Sequence, residues 1–257
     1  MSEITISEIA LVFSAIAIIP LLISGARRFF LKIEVFDKGF AIIGFSALGS
    51  TVSIPMSFKA WNFDAFVPKL NLKITNTTAS VSRDCEMMLF RTEKFSVRPG
   101  AGGVAQTASE SAIEAAQPFF LEQSAPRFVD VVFGNSFERN KIVSQVERVK
   151  KVIAEIAAAH AQSSQAGATA NYIGDPKFIA LKENIRKEIF WSEGVYEIVL
   201  SVITSRPSRK FFFKYKFSLS AEDVRLLEDN DSSIVLEGVT GNGAAYENRY
   251  PRIQAIK

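Results

Sequence analysis

The chain has 257 residues, of which 48% are hydrophobic, and its net charge at pH 7 is +3. This length suffices for one sizeable core, and so small a charge argues against the strongly basic surface of a nucleic-acid binder. A single cysteine, Cys85, excludes an internal disulfide, and a single histidine, His160, excludes a His-rich metal site. We therefore expect no cofactor, no metal site and no nucleic-acid partner.

A charge-free segment near the N-terminus, residues 9–26, has the length and composition of a membrane-spanning helix. It lies between Glu8 and Arg27, and a helix of this length extends about 27 Å, close to the hydrocarbon thickness of a bilayer. A cleaved signal peptide begins with basic residues, whereas the first eight residues here contain two glutamates and no Lys or Arg. We predict that residues 1–28 form one transmembrane anchor whose partner is the lipid bilayer.

The charges that flank this segment predict its orientation. Arg27 and Arg28 follow the apolar run, and the flank that carries more Lys and Arg normally faces the cytoplasm. The absence of disulfides agrees with a reducing compartment. We predict a single-pass protein of the cell membrane with a cytoplasmic C-terminal domain; the alternative is a domain on the outer side.

A second charge-free stretch, residues 39–58, predicts a buried hairpin rather than a second span. It contains three glycines and Pro55, and it divides at Gly49–Ser50 into two runs of strand-like composition. A short Gly–Ser connection between two apolar runs is typical of a β-hairpin.

Alternating patterns elsewhere predict further strands. In residues 69–76, Leu70, Leu72 and Ile74 alternate with polar residues, as in a strand with one buried face. In residues 209–219, we expect the aromatic face to be buried and the opposite face to be exposed. The inner face is Phe211, Phe213, Tyr215 and Phe217; the outer face includes Lys210, Phe212, Lys214 and Lys216. Residues 96–112 are rich in Gly, Ala and Ser and predict a linker.

A change of period between residues 137 and 190 predicts an inserted helical hairpin. The first helix, about 137–162, carries an apolar stripe of Ile142, Val146, Val149, Ile153 and Ile156. The second begins at Asp175–Pro176 and presents Phe178, Leu181, Ile185 and Ile189. Two interpretations remain open: the stripes pack inside the domain, or they form a docking surface for another chain.

The strand pattern after the anchor resembles an immunoglobulin-like β-sandwich. The resemblance rests on Thr75–Asn76, which ends an early strand before a turn, and on Gly194–Val195–Tyr196 in a late strand. It implies a mainly β fold at residues 29–237, with the helical insertion at 137–190 and a strand-poor C-terminal tail at 238–257. It is a fold-level resemblance that implies no activity.

We expect a membrane-anchored, non-catalytic interaction or assembly module that binds a protein partner or a second copy of itself. The alternatives are a peripheral sensor of anionic lipids or nucleotides, and an enzyme that uses the carboxylate pairs Asp84/Glu86 or Glu222/Asp223. Adjacent acidic residues are more typical of solvated turns and helix starts than of active sites. The candidate contact residues are the basic side chains of the first inserted helix and of the aromatic strand: Arg139, Arg148, Lys150, Lys151, Lys210, Lys214 and Lys216.

Overall fold

The computed structural model describes residues 6–99, 105–162, 176–240 and 246–256. The chain begins with helix α1 (Ile6–Phe30), so the helix expected there is present. Within the described part of the chain, no helix combines the length and the apolarity required to cross a bilayer. The transmembrane assignment of residues 1–28 is therefore not confirmed.

The domain that follows α1 is mainly β, as predicted. Its strands are β1 (Lys32–Asp37), β2 (Ile42–Ser46), β3 (Gly49–Trp61), β4 (Ala65–Val67), β5 (Lys69–Asn76), β6 (Val81–Pro99), β7 (Ala105–Ala115), β8 (Phe119–Leu121), β9 (Arg127–Gly134), β10 (Gly194–Ser205), β11 (Ser208–Leu219) and β12 (Gln254–Ile256). Among the described residues, ten strands form one curled antiparallel sheet in the order β1-β3-β9-β6-β5-β10-β11-β12. Strand β2 also pairs with β3, and β7 pairs with β6.

The immunoglobulin-like sandwich is not confirmed. A sandwich consists of two sheets packed face to face, whereas the two strands that carried the resemblance, β5 and β10, are neighbours in the same sheet. In the described part of the chain, the second sheet consists of β4 and β8. Alternation along a strand identifies its buried face but not its neighbours, so the sequence pattern suits either arrangement.

The C-terminal segment connects β2 to β11, two strands that the main path of the sheet leaves far apart. The backbone amides of Ile43 and Arg249 donate to each other's carbonyls over 2.8 and 2.9 Å, and β12 pairs with residues 214–216 of β11. The side chain of Asn230 also forms two hydrogen bonds with the Glu247 backbone, each of 2.8 Å. Residues 246–256, expected to belong to a strand-poor tail, thus connect distant parts of the fold.

The hydrophobic core occupies the inner face of the curled sheet. Leu70, Leu72 and Ile74 of β5 are buried there, which confirms the alternation predicted for this strand. On β11, Tyr215 and Phe217 are buried while the intervening lysines are exposed, so the predicted faces are also correct.

The predicted hairpin is present, with its turn two residues earlier than expected. Strands β2 and β3 pair with Ser46 opposite Gly49, and residues 47–48 form the turn. Gly49 has a φ of +86°, which favours glycine, and it begins β3 rather than the turn. Burial on both faces of β3 explains why residues 49–58 carry no charge.

The described residues after the early strands include the helices α2 (Ser136–Gln162), α3 (Pro176–Arg186), α4 (Ala221–Glu228) and α5 (Asn230–Thr240). Helices α2, α3 and α5 pack together. In addition, α2 contacts β3, and α5 contacts β2. Ile142 and Val149 of α2 and Leu181 and Ile185 of α3 are buried. These residues therefore pack inside the domain; the side chain of Ile156 and all of Asp175 lie outside the described residues.

The segment expected to be a linker is partly a strand. Residues 105–112 belong to β7, which pairs along its whole length with residues 89–99 of β6. Residues 100–104 lie outside the described residues. The small and polar composition of this segment is poor in strand formers, so local propensity alone does not identify the pairing.

Candidate functional site

The most unusual surface of the protein is helix α1. Its large apolar side chains are exposed, with 73% of Leu21 and 66% of Leu22 accessible to solvent, and Phe13, Ile16, Ile18 and Ile19 are similarly open. Successive residues point about 100° apart on a helix, so these side chains lie all around α1 and not along one stripe. Within the described residues, α1 forms no extensive packing contact with another helix or strand.

The C-terminal end of α1 is attached to the sheet by side chains that bind its last carbonyls. The Arg209 guanidinium donates to the carbonyls of Phe29 and Leu31 over 3.1 and 2.7 Å. The Asn62 side-chain amide donates to the carbonyl of Phe30 over 2.7 Å. A helix end leaves four carbonyls without helical partners, so these contacts cap α1 and fix the point where it leaves the domain.

Arg27 and Arg28, the basic flank of the predicted anchor, lie in the last turns of α1. Their side chains are outside the described ones, so their role in orientation remains a prediction from sequence.

The three lysines of β11 belong to a larger basic surface, which we call the lysine face. In the register of the sheet, Lys214 of β11 and Lys73 of β5 both pair with Val199 of β10, and Lys210 and Lys69 both pair with Ile203. All side chains at one register position point to the same side of a sheet, and β5 and β11 are about 10 Å apart. The lysine face comprises Lys69, Lys73, Lys210, Lys214 and Lys216, with exposed Phe212 among them.

Among the described residues, no carboxylate lies within ion-pair distance of these five lysines. The nearest acidic positions are Glu197, paired with Lys216, and Asp84, paired with Lys73. The sequence identified the β11 lysines, but Lys69 and Lys73 become part of the same surface only through long-range strand pairing.

The basic residues predicted on the first inserted helix form a separate set. Arg139, Arg148, Lys150 and Lys151 are exposed on α2, which packs on α3, α5 and β3 and not on β11. Lys150 forms an ion pair of 2.7 Å with Glu147 one turn earlier. The structure therefore does not bring the two predicted basic sets into one site.

The carboxylate pairs considered for catalysis lie at the start of a helix and on the outer face of a strand. Asp223 completes a capping box at the start of α4: its carboxylate accepts hydrogen bonds from the Ser220 hydroxyl and backbone amide, over 2.6 and 3.0 Å. The hydrogen bond from the Ser220 side chain lowers the pKa of Asp223. Asp84 and Glu86 lie on the outer face of β6, opposite Lys73 and Asn71.

A buried polar cluster at the start of α2 was missed by sequence reasoning. One carboxylate oxygen of Glu138 accepts hydrogen bonds from the backbone amide and the hydroxyl of Ser50, over 2.9 and 2.6 Å, and the other pairs with Arg83. The Ser50 hydroxyl also accepts the Phe190 amide over 3.0 Å. Burial lowers the pKa of Arg83. Each group has a protein partner, so the cluster joins α2 to β3 and β6.

The local signal for that cluster was Asn135-x-x-Glu138, a helix-start pattern in which the Asn135 side chain accepts the Glu138 amide over 3.1 Å. Its partner Ser50 lies 88 residues away in sequence and was not identifiable from local pattern. In the described part of the chain, no group of three His, Cys, Asp or Glu residues is arranged to hold a metal ion.

Comparison of this chain with protein-family models, with curated proteins and with solved structures finds no match.

Proposed function

We propose that this protein is a membrane-anchored, non-catalytic interaction module in which α1 is held in a lipid bilayer. The observation that carries the proposal is the exposure of apolar side chains on all sides of α1. A helix that is apolar all round is normally buried in a protein core or in lipid. No helix or strand of the described chain covers α1 extensively, and residues 9–26 contain no charge.

Lipid is the environment that suits this helix. An apolar surface on every side favours a continuous apolar solvent over a partner that covers one face. The exposed Phe29 and Phe30 follow the charge-free run, and aromatic residues are enriched where membrane helices meet the headgroups. By the positive-inside rule, Arg27 and Arg28 favour a domain on the cytoplasmic side of the cell membrane.

Flotation of the full chain with phosphatidylcholine vesicles tests the anchor. We expect the unsubstituted chain to float, and the double variant Leu21→Lys/Leu22→Lys to remain at the bottom of the gradient. The control is Val143→Lys/Ile179→Lys, which places the same charges at exposed apolar positions of α2 and α3 and should float normally. Equal flotation of both double variants, or no flotation of the unsubstituted chain, would overturn the proposal.

Amine labelling in intact cells tests the orientation, because the lysine face is exposed. A membrane-impermeant amine reagent should modify the domain only after permeabilisation of the membrane. Modification of Lys210 or Lys214 while the membrane is sealed would place the domain on the outer side.

The lysine face is the proposed contact surface, and its partner is an acidic segment of another protein. Five exposed lysines around Phe212 favour a ligand with carboxylates and an apolar side chain. Acidic residues lie near both basic sets, but Lys150 of α2 forms an ion pair with Glu147, whereas no described carboxylate lies within ion-pair distance of the five lysines. This difference in ion pairing favours the lysine face over α2.

Fluorescence anisotropy of a labelled glutamate-rich peptide containing one leucine, titrated with the full chain in micelles, tests this surface. We expect Lys73→Gln/Lys214→Gln to weaken binding about tenfold and the matched change Lys150→Gln/Lys151→Gln to have little effect. Equal weakening by both pairs would indicate non-specific charge attraction and would overturn the assignment. The same titration with anionic vesicles in place of the peptide tests the lipid-sensor alternative. Vesicle binding that Lys73→Gln/Lys214→Gln weakens, without peptide binding, would favour that alternative.

A further inference from the structure

The end of the sheet next to α1 has a distinctive composition. Three loops meet there: residues 62–64 after β3, residues 122–126 after β8, and residues 206–207 between β10 and β11. The hydrogen bonds from Asn62 and Arg209 to the last carbonyls of α1 place this end directly beside the helix. We call these loops and their adjoining strand ends the α1-proximal end.

A cleft of about 930 Å³ separates α1 from these loops. Its helix wall is formed by Pro20, Ile23 and Ser24, and its opposite wall includes Phe66, Phe120 and Arg206. The loops therefore lie level with residues 20–24, which are inside the charge-free run that extends to Ala26. If lipid covers that run to its end, the loops opposite it reach at least the headgroup layer.

The side chains at this end suit such a position. Phe120 is 61% exposed, and its ring packs against that of Phe66 in a tilted arrangement with a centroid distance of 4.7 Å. Trp61 is also exposed, and the Lys59 ammonium lies 3.8 Å from the centroid of its ring. Trp and other aromatic rings with a nearby polar partner are characteristic of the membrane–water interface.

The charges at this end favour anionic headgroups. Basic residues at or near the loops are Lys32, Lys59, Arg127, Arg206 and Arg209; acidic residues are Glu34, Asp64 and Glu122. All three acids have partners within the protein. Glu34 accepts from Lys32 over 2.6 Å and from the Trp61 indole over 2.8 Å. Asp64 accepts the Gln123 amide over 2.8 Å, and Glu122 accepts the Ser124 hydroxyl over 3.3 Å. Basic side chains near the membrane surface are attracted by anionic headgroups.

We infer that the α1-proximal end lies against the headgroup layer of an anionic bilayer, with Trp61 and Phe120 at interface depth. The inference rests on the proposed anchoring of α1 and extends it: the domain does not move freely on its anchor but rests on the membrane through a defined surface. The capping contacts at the end of α1 support this, because they fix the helix relative to the loops.

Quenching of tryptophan fluorescence by lipids brominated near the headgroup tests the inference on the full chain. The chain has two tryptophans; Trp191 is buried in the core, where it donates to the Gly44 carbonyl over 2.9 Å. In vesicles of phosphatidylcholine and phosphatidylglycerol, we expect the fluorescence of the unsubstituted chain to be quenched. The Trp61→Phe variant should show no such quenching. Two results would overturn the inference: quenching that persists in Trp61→Phe, or the absence of quenching in unsubstituted chain that floats with the vesicles.

A matched pair of variants separates interface contact from general apolarity. Phe120 and Phe212 are each 61% exposed, but Phe212 lies on the lysine face and not at the α1-proximal end. Phe120→Glu should reduce the quenching of Trp61, whereas Phe212→Glu should leave it unchanged. Equal effects would contradict the assigned surface.

Flotation of the same samples distinguishes the two proposals. Chain that fails to float contradicts the anchoring of α1 and the inference with it. Chain that floats while Trp61 is not quenched leaves the anchor in place and shows that the domain stands away from the bilayer.

Discussion

Helices α1 and α2 are similar in length, 25 and 27 residues, yet the fold covers the apolar side chains of only one of them. The stripe of α2 has charged neighbours on its other sides, and Ile142 and Val149 are fully buried. The apolar residues of α1 have no charged face opposite them and are exposed. A stripe can be satisfied by one packed surface within the chain, whereas a helix that is apolar all round requires an apolar environment outside it.

The largest effect that follows from this contrast is on folding. Val149→Asp places a carboxylate among buried apolar side chains without a partner, which should reduce the free energy of unfolding by more than about 4 kcal/mol. Leu22→Asp in α1 should leave the unfolding of the domain unchanged. Thermal unfolding of both variants in detergent micelles, followed by circular dichroism, provides the measurement. A cooperative transition retained in Val149→Asp would show that α2 does not belong to the core.

The ends of the two helices offer a second, smaller contrast. Glu138→Ala at the start of α2 would leave the Arg83 guanidinium half-buried without its partner, and breaking such a pair typically costs about 3 kcal/mol. Arg209→Ala at the end of α1 removes exposed caps of backbone carbonyls and should cost about 1 kcal/mol. Urea denaturation of the two variants measures both values. A larger loss in Arg209→Ala would show that α1 is more firmly integrated than its exposure indicates.

Local patterns predicted the elements of this protein better than their arrangement. The period of α2 and the alternation of β5 and β11 each depend on neighbours within a few residues, and each is correct. The single curled sheet and the return of residues 246–256 depend on pairing between distant segments, on which residue spacing gives no information.

The same distinction applies to the candidate sites. The lysines of β11 were identified from one strand, but their grouping with Lys69 and Lys73 requires the register with β10 and β5. The Glu138 cluster joins residues from three separate segments, each of which is unremarkable by itself. The apolar run of α1, in contrast, was identified from sequence because its character depends on composition alone.

The last predicted effect appears only at high pH and again separates the domain from α1. Burial raises the pKa of the Cys85 thiol from 9.0 to about 12 and that of the Tyr215 hydroxyl from 10.0 to about 12. Between the unfolded-state and folded-state pKa of each group, the folded chain binds more protons than the unfolded chain. The free energy of unfolding therefore has its full value below pH 9.0 and decreases as the pH rises above it. Each group lowers the free energy of unfolding by at most about 1.4 kcal/mol per pH unit in its window.

Urea denaturation at increasing pH should therefore show a falling midpoint above pH 9.0, and Cys85→Ala should make the decrease less steep by removing the thiol. No ionisable residue lies between Glu8 and Arg27, so flotation through α1 should be retained over the same pH range while the domain loses stability. Loss of flotation in parallel with unfolding would mean that the folded domain, rather than α1, holds the chain on the vesicle. In that case the contrast between the two helices would no longer explain membrane binding.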